Sequence, residues 1–149
     1  IALIYKNKPL AGVIYAPAHH LLYTGYATEA YMQKNENKKQ KINTRSPKKS
    51  GITLVKSRSH GSNDYKHLNN LPIKETVILG SSLKFCMIAS GEADVYFRTG
   101  PTSEWDTAAG HAILKAAGGS MTQIDGSPFL YGKDNILNPP FIASGRKVQ

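Results

Sequence analysis

The stretch Glu104-Trp105-Asp106-Thr107-Ala108-Ala109-Gly110-His111 decides how the rest of this chain is read. Asp106 stands where a helix would start. After it, Ala109, Ala112, Ile113 and Ala116 recur at i, i+3, i+4 and i+7 on one apolar face. The pattern predicts a helix capped by Asp106 and stopped at Gly118-Gly119. Small residues at 108–110 let its first turns lie close to a neighbouring element, and Trp105 is expected to brace the backbone there. Two explanations of Asp106 stay open. A carboxylate at a helix start is stabilised by free N–H groups and the dipole. It is also a rigid oxygen ligand of the kind a divalent ion requires.

Upstream of that helix, strand-like and helix-like runs alternate. Ile52-Thr53-Leu54-Val55 reads as a strand that delivers Ser57-Arg58-Ser59-His60 at its end. Residues 63–71 read as a short helix ended by Pro72, and Thr76-Val77-Ile78-Leu79 as a strand ending at Gly80. Ser81 or Ser82 then caps a helix whose Leu83, Cys86, Met87 and Ser90 share a face. Residues 93–98 form a strand before the Gly100-Pro101 turn. Downstream, residues 120–124 are a strand, Asp125-Gly126 turns the chain, and Pro139-Pro140 limits regular structure near the end. Residues 1–5, 10–15 and 21–26 make an antiparallel meander, its first two strands joined by a hairpin at Lys6-Asn7-Lys8-Pro9. These elements predict a layered α/β fold. Residues 1–50 hold the end of an antiparallel sheet with a Lys-rich loop, and 51–149 hold an α/β unit.

The 149 residues carry a formal net charge of +9, which favours anionic partners. Much of the excess lies in one polar stretch, Lys34 to Lys49, where Lys38, Lys39, Lys41, Arg45 and Lys48 are broken only by Glu36. It reads as a solvated loop or hairpin tip. It has no aromatic residue to stack on bases, so no nucleic-acid partner is expected. No apolar run approaches the length of a transmembrane span. The single cysteine, Cys86, excludes an intrachain disulfide and fits a reducing compartment, so a cytoplasmic address is expected, with a peripheral position at the inner membrane as its variant. Cys86 itself reads as core packing.

Three further groups could carry chemistry. Gly80-Ser81-Ser82-Leu83-Lys84 places hydroxyls at a helix start with Lys84 in reach of the same point, suiting either an anion or simple capping. It is too short and too poor in glycine for a nucleotide-triphosphate P-loop. His60 and Arg98, each at a strand end, suit a phosphate or an ordinary polar surface equally. One cysteine and scattered histidines make no zinc site, and no Gly-x-Ser-x-Gly elbow is present.

These pieces, in this order, resemble the inositol monophosphatase superfamily of lithium-sensitive, magnesium-dependent phosphatases. The Trp105-Asp106-Thr107-Ala108-Ala109-Gly110 run, continued by Ala116-Ala117-Gly118-Gly119, is similar to its C-terminal signature. Ser57-Arg58-Ser59-His60, Gly80-Ser81-Ser82-Leu83-Lys84-Phe85-Cys86 and Asn138-Pro139 before Phe141 resemble the bacterial CysQ-type 3'(2'),5'-bisphosphate nucleotidases within it. The resemblance implies an αβαβα sugar-phosphatase-like fold and release of the 3'-phosphate from adenosine 3',5'-bisphosphate with Mg²⁺. It implies that Asp106 ligates magnesium and that His60, Ser81, Lys84, Arg98 and Asp106 bind substrate. The family's Gly-Glu-Glu and Asp-Pro-(Ile/Leu)-Asp-Gly-Thr motifs, which supply most metal ligands and help activate water, are absent from this sequence. No catalytic residue is therefore expected in this chain. The expectation is that its partner is an N-terminal half of the same enzyme and that the chain alone is nearly inactive. An inositol phosphate phosphatase and a non-catalytic nucleotide-binding or interaction module remain as alternatives.

Overall fold

The computed structural model describes residues 1–47, 50–58 and 72–146. The chain opens as five antiparallel strands in simple order: β1 (Ala2–Tyr5), β2 (Lys8–Ala16), β3 (Leu21–Tyr26), β4 (Glu29–Lys34) and β5 (Gln40–Ile42). The first hairpin is tighter than the sequence suggests. Lys6 and Asn7 both adopt positive φ (48° and 62°), as a two-residue turn twisted like its strands requires. Pro9, which has no N–H to donate, falls at the register shift between β1 and β2.

The expected loop at 34–49 is in part a hairpin, with β4 and β5 closing around a tip at residues 35–39. Its base is not solvated in the way its charge suggests. Arg45 forks onto Asp94, donating from Nε to Oδ1 at 2.8 Å and from Nη2 to Oδ2 at 2.9 Å. The Asp94 carboxylate is only 1% exposed and also accepts the Thr53 amide at 2.7 Å.

The second sheet has the order β7-β6-β8-β10-β9, built from β6 (Ile52–Lys56), β7 (Ile73–Ile78), β8 (Val95–Arg98), β9 (Ser120–Gln123) and β10 (Phe141–Ser144). β6 pairs in parallel with β7 and β8, while β10 pairs antiparallel with both β8 and β9. β10 was not expected. Pro139 and Pro140 stop just short of it, so no strand amide is lost, and Phe141 and Ala143 alternate into the core. The short helix expected at 63–71 lies outside the described residues.

Two helices lie between the sheets: α1 (Leu83–Ala89) and α2 (Glu104–Ala116). Phe85, Tyr96, Leu114 and Phe141 fill the space toward the second sheet, and Ile14, Tyr23, Cys86 and Ile113 the space toward the first. The buried face of α1 centres on Phe85, Cys86, Ile88 and Ala89. It is rotated from the expected one, so that Leu83, Met87 and Ser90 are only half-buried and Lys84 is turned inward. The architecture is α/β as expected, and the described residues supply a sheet, a helix pair and a sheet. Among them, no helix is long and apolar enough to cross a membrane.

α2 approaches the meander closely because glycines face it. A Cβ on Gly12 would lie 2.4 Å from the Ala109 carbonyl oxygen, and one on Gly25 would lie 2.6 Å from the Ile113 Cα. The opposite face of the meander is exposed and largely apolar, with Leu3, Tyr5, Val13, Tyr15 and Tyr26 outward.

Candidate phosphate-binding site

The carboxyl ends of β6 and β8, the start of α1 and the start of α2 converge on one cavity of about 290 Å³. Such a convergence at strand ends is where open α/β sheets bind ligands. Ser57 arrives from just beyond β6, Ser81 and Lys84 from the turn into α1, Arg98 from the last position of β8, and Asp106 from the first turn of α2. Four of the five expected site residues, Ser81, Lys84, Arg98 and Asp106, therefore line one space. The fifth, His60, lies outside the described residues.

Each side chain has a distinct reason for its position. Asp106 does not cap α2 as the N-terminal cap residue. That residue is Ser103, in extended conformation, and Asp106 sits three positions on as the acidic partner of a capping box. Its Oδ2 accepts the Ser103 amide at 2.8 Å. Its Oδ1 takes no hydrogen bond among the described residues. Trp105 does not brace the backbone through burial. It is 70% exposed and borders the cavity, because its place on α2 faces outward.

Lys84 is 4% exposed, although it opens a helix. Its Nζ donates to the Ser81 carbonyl at 2.6 Å and more weakly to Leu79 O at 3.4 Å, and it lies 5.0 Å from the centre of the Tyr96 ring. Ser81 presents that carbonyl by adopting φ of 55°, a conformation uncommon for a residue with a side chain. Burial, and then the positive charge of Arg98, lower the Lys84 pKa from 10.5 to about 8, with Asp106 opposing the shift. Arg98 is also buried, and its Nε and Nη2 donate to the carbonyls of Gly100 (3.2 Å) and Pro101 (3.1 Å). Two cations thus line one cavity, and positive charge there favours an anionic ligand.

The sequence reading missed Tyr96 and Thr107, which also line the cavity. The first was legible, since a strand ending at Arg98 puts the residue two before it on the same face. Burial raises the Tyr96 hydroxyl to about 12, so it stays protonated. Thr107 is harder to read, because two of its partners, Tyr131 and Asn138, come from a distant segment.

The sequence matches the inositol monophosphatase family over residues 1–147. The chain belongs to that family. A 3'(2'),5'-bisphosphate nucleotidase CysQ from Escherichia coli K12 is 40% identical over 146 residues, covering 97% of this chain and 58% of that protein. A CysQ from Haemophilus influenzae is 28% identical, again over 97% of this chain. Among solved structures, CysQ from Bacteroides thetaiotaomicron superposes with a TM-score of 0.83 at 33% identity, covering 97% of this chain and 60% of the other. An inositol monophosphatase from Anabaena gives a TM-score of 0.72 at 28% identity. The chain spans about three-fifths of the length of these relatives.

Within this inositol monophosphatase fold, the described residues carry only part of what a magnesium ion requires. Mg²⁺ holds its water unless several oxygens replace it. Asp106 Oδ1 fits one ligand position. Among the described residues, however, no three His, Cys, Asp or Glu side chains group together in a way that could hold a metal.

Proposed function

We propose that this chain provides the substrate-holding side of a magnesium-dependent 3'(2'),5'-bisphosphate nucleotidase that hydrolyses adenosine 3',5'-bisphosphate to AMP and phosphate. The observation that carries the reading is the pair of buried cations, Lys84 and Arg98, in one cavity with the Asp106 carboxylate. Both positive charges face one cavity, where a dianionic phosphate would be attracted by both. The CysQ relatives supply the nucleotide as the substrate class.

In this reading Lys84 and Arg98 bind phosphate oxygens, the Arg98 fork fixing orientation and the Lys84 ammonium adding a point charge. Ser81 contributes a hydroxyl, and His60 is assigned to the nucleotide by its place in the family motif. Asp106 is one magnesium ligand, and the metal, when bound, would polarise the phosphoryl group. The remaining carboxylates and the water-activating groups are assigned to a segment outside this chain. That segment is also the partner we assign to the exposed apolar face of the meander, where Tyr5, Tyr15 and Tyr26 would otherwise face water.

Phosphate release from adenosine 3',5'-bisphosphate tests the reading, measured with magnesium, with and without lithium, and against inositol monophosphate as competing substrate. The expected result is negligible turnover by the 149 residues alone. Lithium-sensitive turnover of the nucleotide is expected once the chain is combined with the segment assigned above to supply the remaining carboxylates. Full activity of the 149 residues alone would refute the divided site, and a preference for inositol phosphate would refute the nucleotide.

A further inference from the structure

Asp106 is held by a polar network that the substrate contacts do not use. The segment from Phe129 to Asn138 returns across the first turn of α2 and is fastened to it along its length. Glu104 accepts the Gly132 and Lys133 amides at 2.9 and 3.1 Å and the Lys133 ammonium at 2.6 Å, while its own amide donates to Ile136 O at 3.0 Å. The Asn138 amide donates to Thr102 O at 2.8 Å. Its side-chain Nδ2 reaches Ser103 O at 2.7 Å and the hydroxyls of Thr102 and Thr107, each at 3.1 Å.

From the core side, the Tyr131 hydroxyl donates to Thr107 Oγ1 at 3.3 Å, and His111 Nδ1 lies 3.0 Å from that hydroxyl. Burial lowers the His111 pKa to about 4, so its ring is neutral. One orientation satisfies the chain: His111 Nδ1–H donates to Tyr131, Tyr131 to Thr107, and Thr107 to Glu104 O at 3.3 Å.

The network ends on Ser103. Its carbonyl is held by Asn138 Nδ2, and its amide is the donor that fixes Asp106 Oδ2. With Ser103 clamped on both sides, the donor that holds Asp106 Oδ2 is itself fixed in place. Asn138 is 9% exposed, and its own Oδ1 is buried without a hydrogen-bond partner among the described residues, which carries a desolvation cost. The need for a donor facing Ser103 O accounts for that orientation of the amide.

We propose that Asn138, with Thr107 and Tyr131, forms a positioning set that fixes how Asp106 presents its carboxylate to the cavity. The functional consequence rests on the Asp106 role proposed above, but the positioning itself does not. Amide hydrogen exchange on the 149-residue chain reads it directly. In Asn138→Ala the Ser103 amide should lose about tenfold in protection, the worth of one neutral hydrogen bond, while Ile113 and Leu114 in the middle of α2 keep theirs. Thr107→Val should lose similarly and Thr107→Ser, which restores the hydroxyl, should not. If Asn138→Ala fails to fold, Tyr131→Phe, which removes one oxygen, decides with the same readout.

Unchanged Ser103 protection in a folded variant overturns the proposal. A second arm titrates adenosine 3',5'-bisphosphate with magnesium against the fluorescence of Trp105, the sole tryptophan of the 149 residues, on the chain combined with the segment that the proposed function assigns outside it. A severalfold weaker metal dependence in the Thr107→Val form, rescued in Thr107→Ser, is expected. Absence of any nucleotide response in the unsubstituted protein would sink the nucleotidase reading and leave the exchange result standing.

Discussion

Replacing Gly12 by alanine tests the contact on which the placement of α2 depends. The added Cβ would sit 2.4 Å from Ala109 O, 2.9 Å from Ala112 Cβ and 3.1 Å from Ala109 C. Ordinary packing contacts begin near ~3.5 Å, so the nearest atom is about 1 Å too close. That atom belongs to helix backbone, and Gly12 lies in a strand paired on both sides, with Ala2 on one edge and Gly25 on the other. Neither partner can yield by a rotamer change, so α2 must lift from the sheet as a unit. Overpacking of this kind costs about 1–3 kcal/mol. Against it, alanine gains about 0.5–1 kcal/mol over glycine within a strand. With backbone on both sides the clash falls at the upper end of its range and wins, for a net loss of about 2 kcal/mol. Urea unfolding followed by Trp105 fluorescence, which reports from the first turn of α2, measures it. Gly80→Ala is the control. Among the described residues nothing lies within 4 Å of its Cβ position, and a change within about 0.5 kcal/mol is expected. A Gly12→Ala protein as stable as that control would refute the close approach of α2 to the meander.

The Arg45–Asp94 pair at the base of the β4–β5 hairpin should be costly to break: Arg45→Met takes the guanidinium away from a carboxylate that is 1% exposed and should destabilise by about 3 kcal/mol in the same assay, and an effect under about 0.5 kcal/mol would rule out that contribution. For Lys84, between pH about 8 and 10.5 the unfolded chain still holds a proton that the folded chain has released, so the Lys84 contribution to stability rises with pH across that window. Lys84→Met should accordingly be more stable than the parent at pH 7, with the advantage shrinking above pH 8; a constant difference between pH 7 and 10.5 would contradict the shift. Burial pushes the Cys86 thiol up to about 12, so a thiol-specific disulfide reagent at pH 8 should label the chain only after urea is added, and rapid native labelling would contradict that burial.

The elements legible in the sequence were those whose signal is local. The α2 face at Ala109, Ala112, Ile113 and Ala116 follows from periodicity, and all four are buried as expected. The strands that carry Ser57 and Arg98 to the cavity follow from β-branched and aromatic runs. What could not be read depends on pairing between distant segments. β10 is four residues long and follows two prolines, and only its position between β8 and β9 makes it a strand. Arg45 sat in a lysine-rich run whose composition says solvent, while its partner Asp94 lies 49 residues away. Asn138 was legible as part of a motif but not as a donor to Ser103, because nothing near it in sequence says which backbone carbonyl it will meet.

For Asp106, capping and the proposed ligation are compatible explanations. From sequence alone, capping and metal ligation compete for one carboxylate. In the fold Oδ2 closes the capping box on Ser103, while Oδ1 makes no hydrogen bond among the described residues and is the oxygen left for the proposed ligation. A carboxylate tethered by one oxygen loses little further freedom when the other binds, so the capping bond lowers the entropic cost of ligation rather than opposing it. Asp106→Asn discriminates between the two roles, since an amide rotated to place its oxygen on the Ser103 amide still caps but presents a neutral Nδ2 to the cavity. The variant should therefore keep the Ser103 protection and the stability of α2 within about 1 kcal/mol. Combined with the segment that the proposed function assigns outside this chain, the variant should lose most of the magnesium-dependent phosphate release proposed above. Normal magnesium dependence in Asp106→Asn would leave capping as the whole explanation of this residue and would remove the ligand assignment.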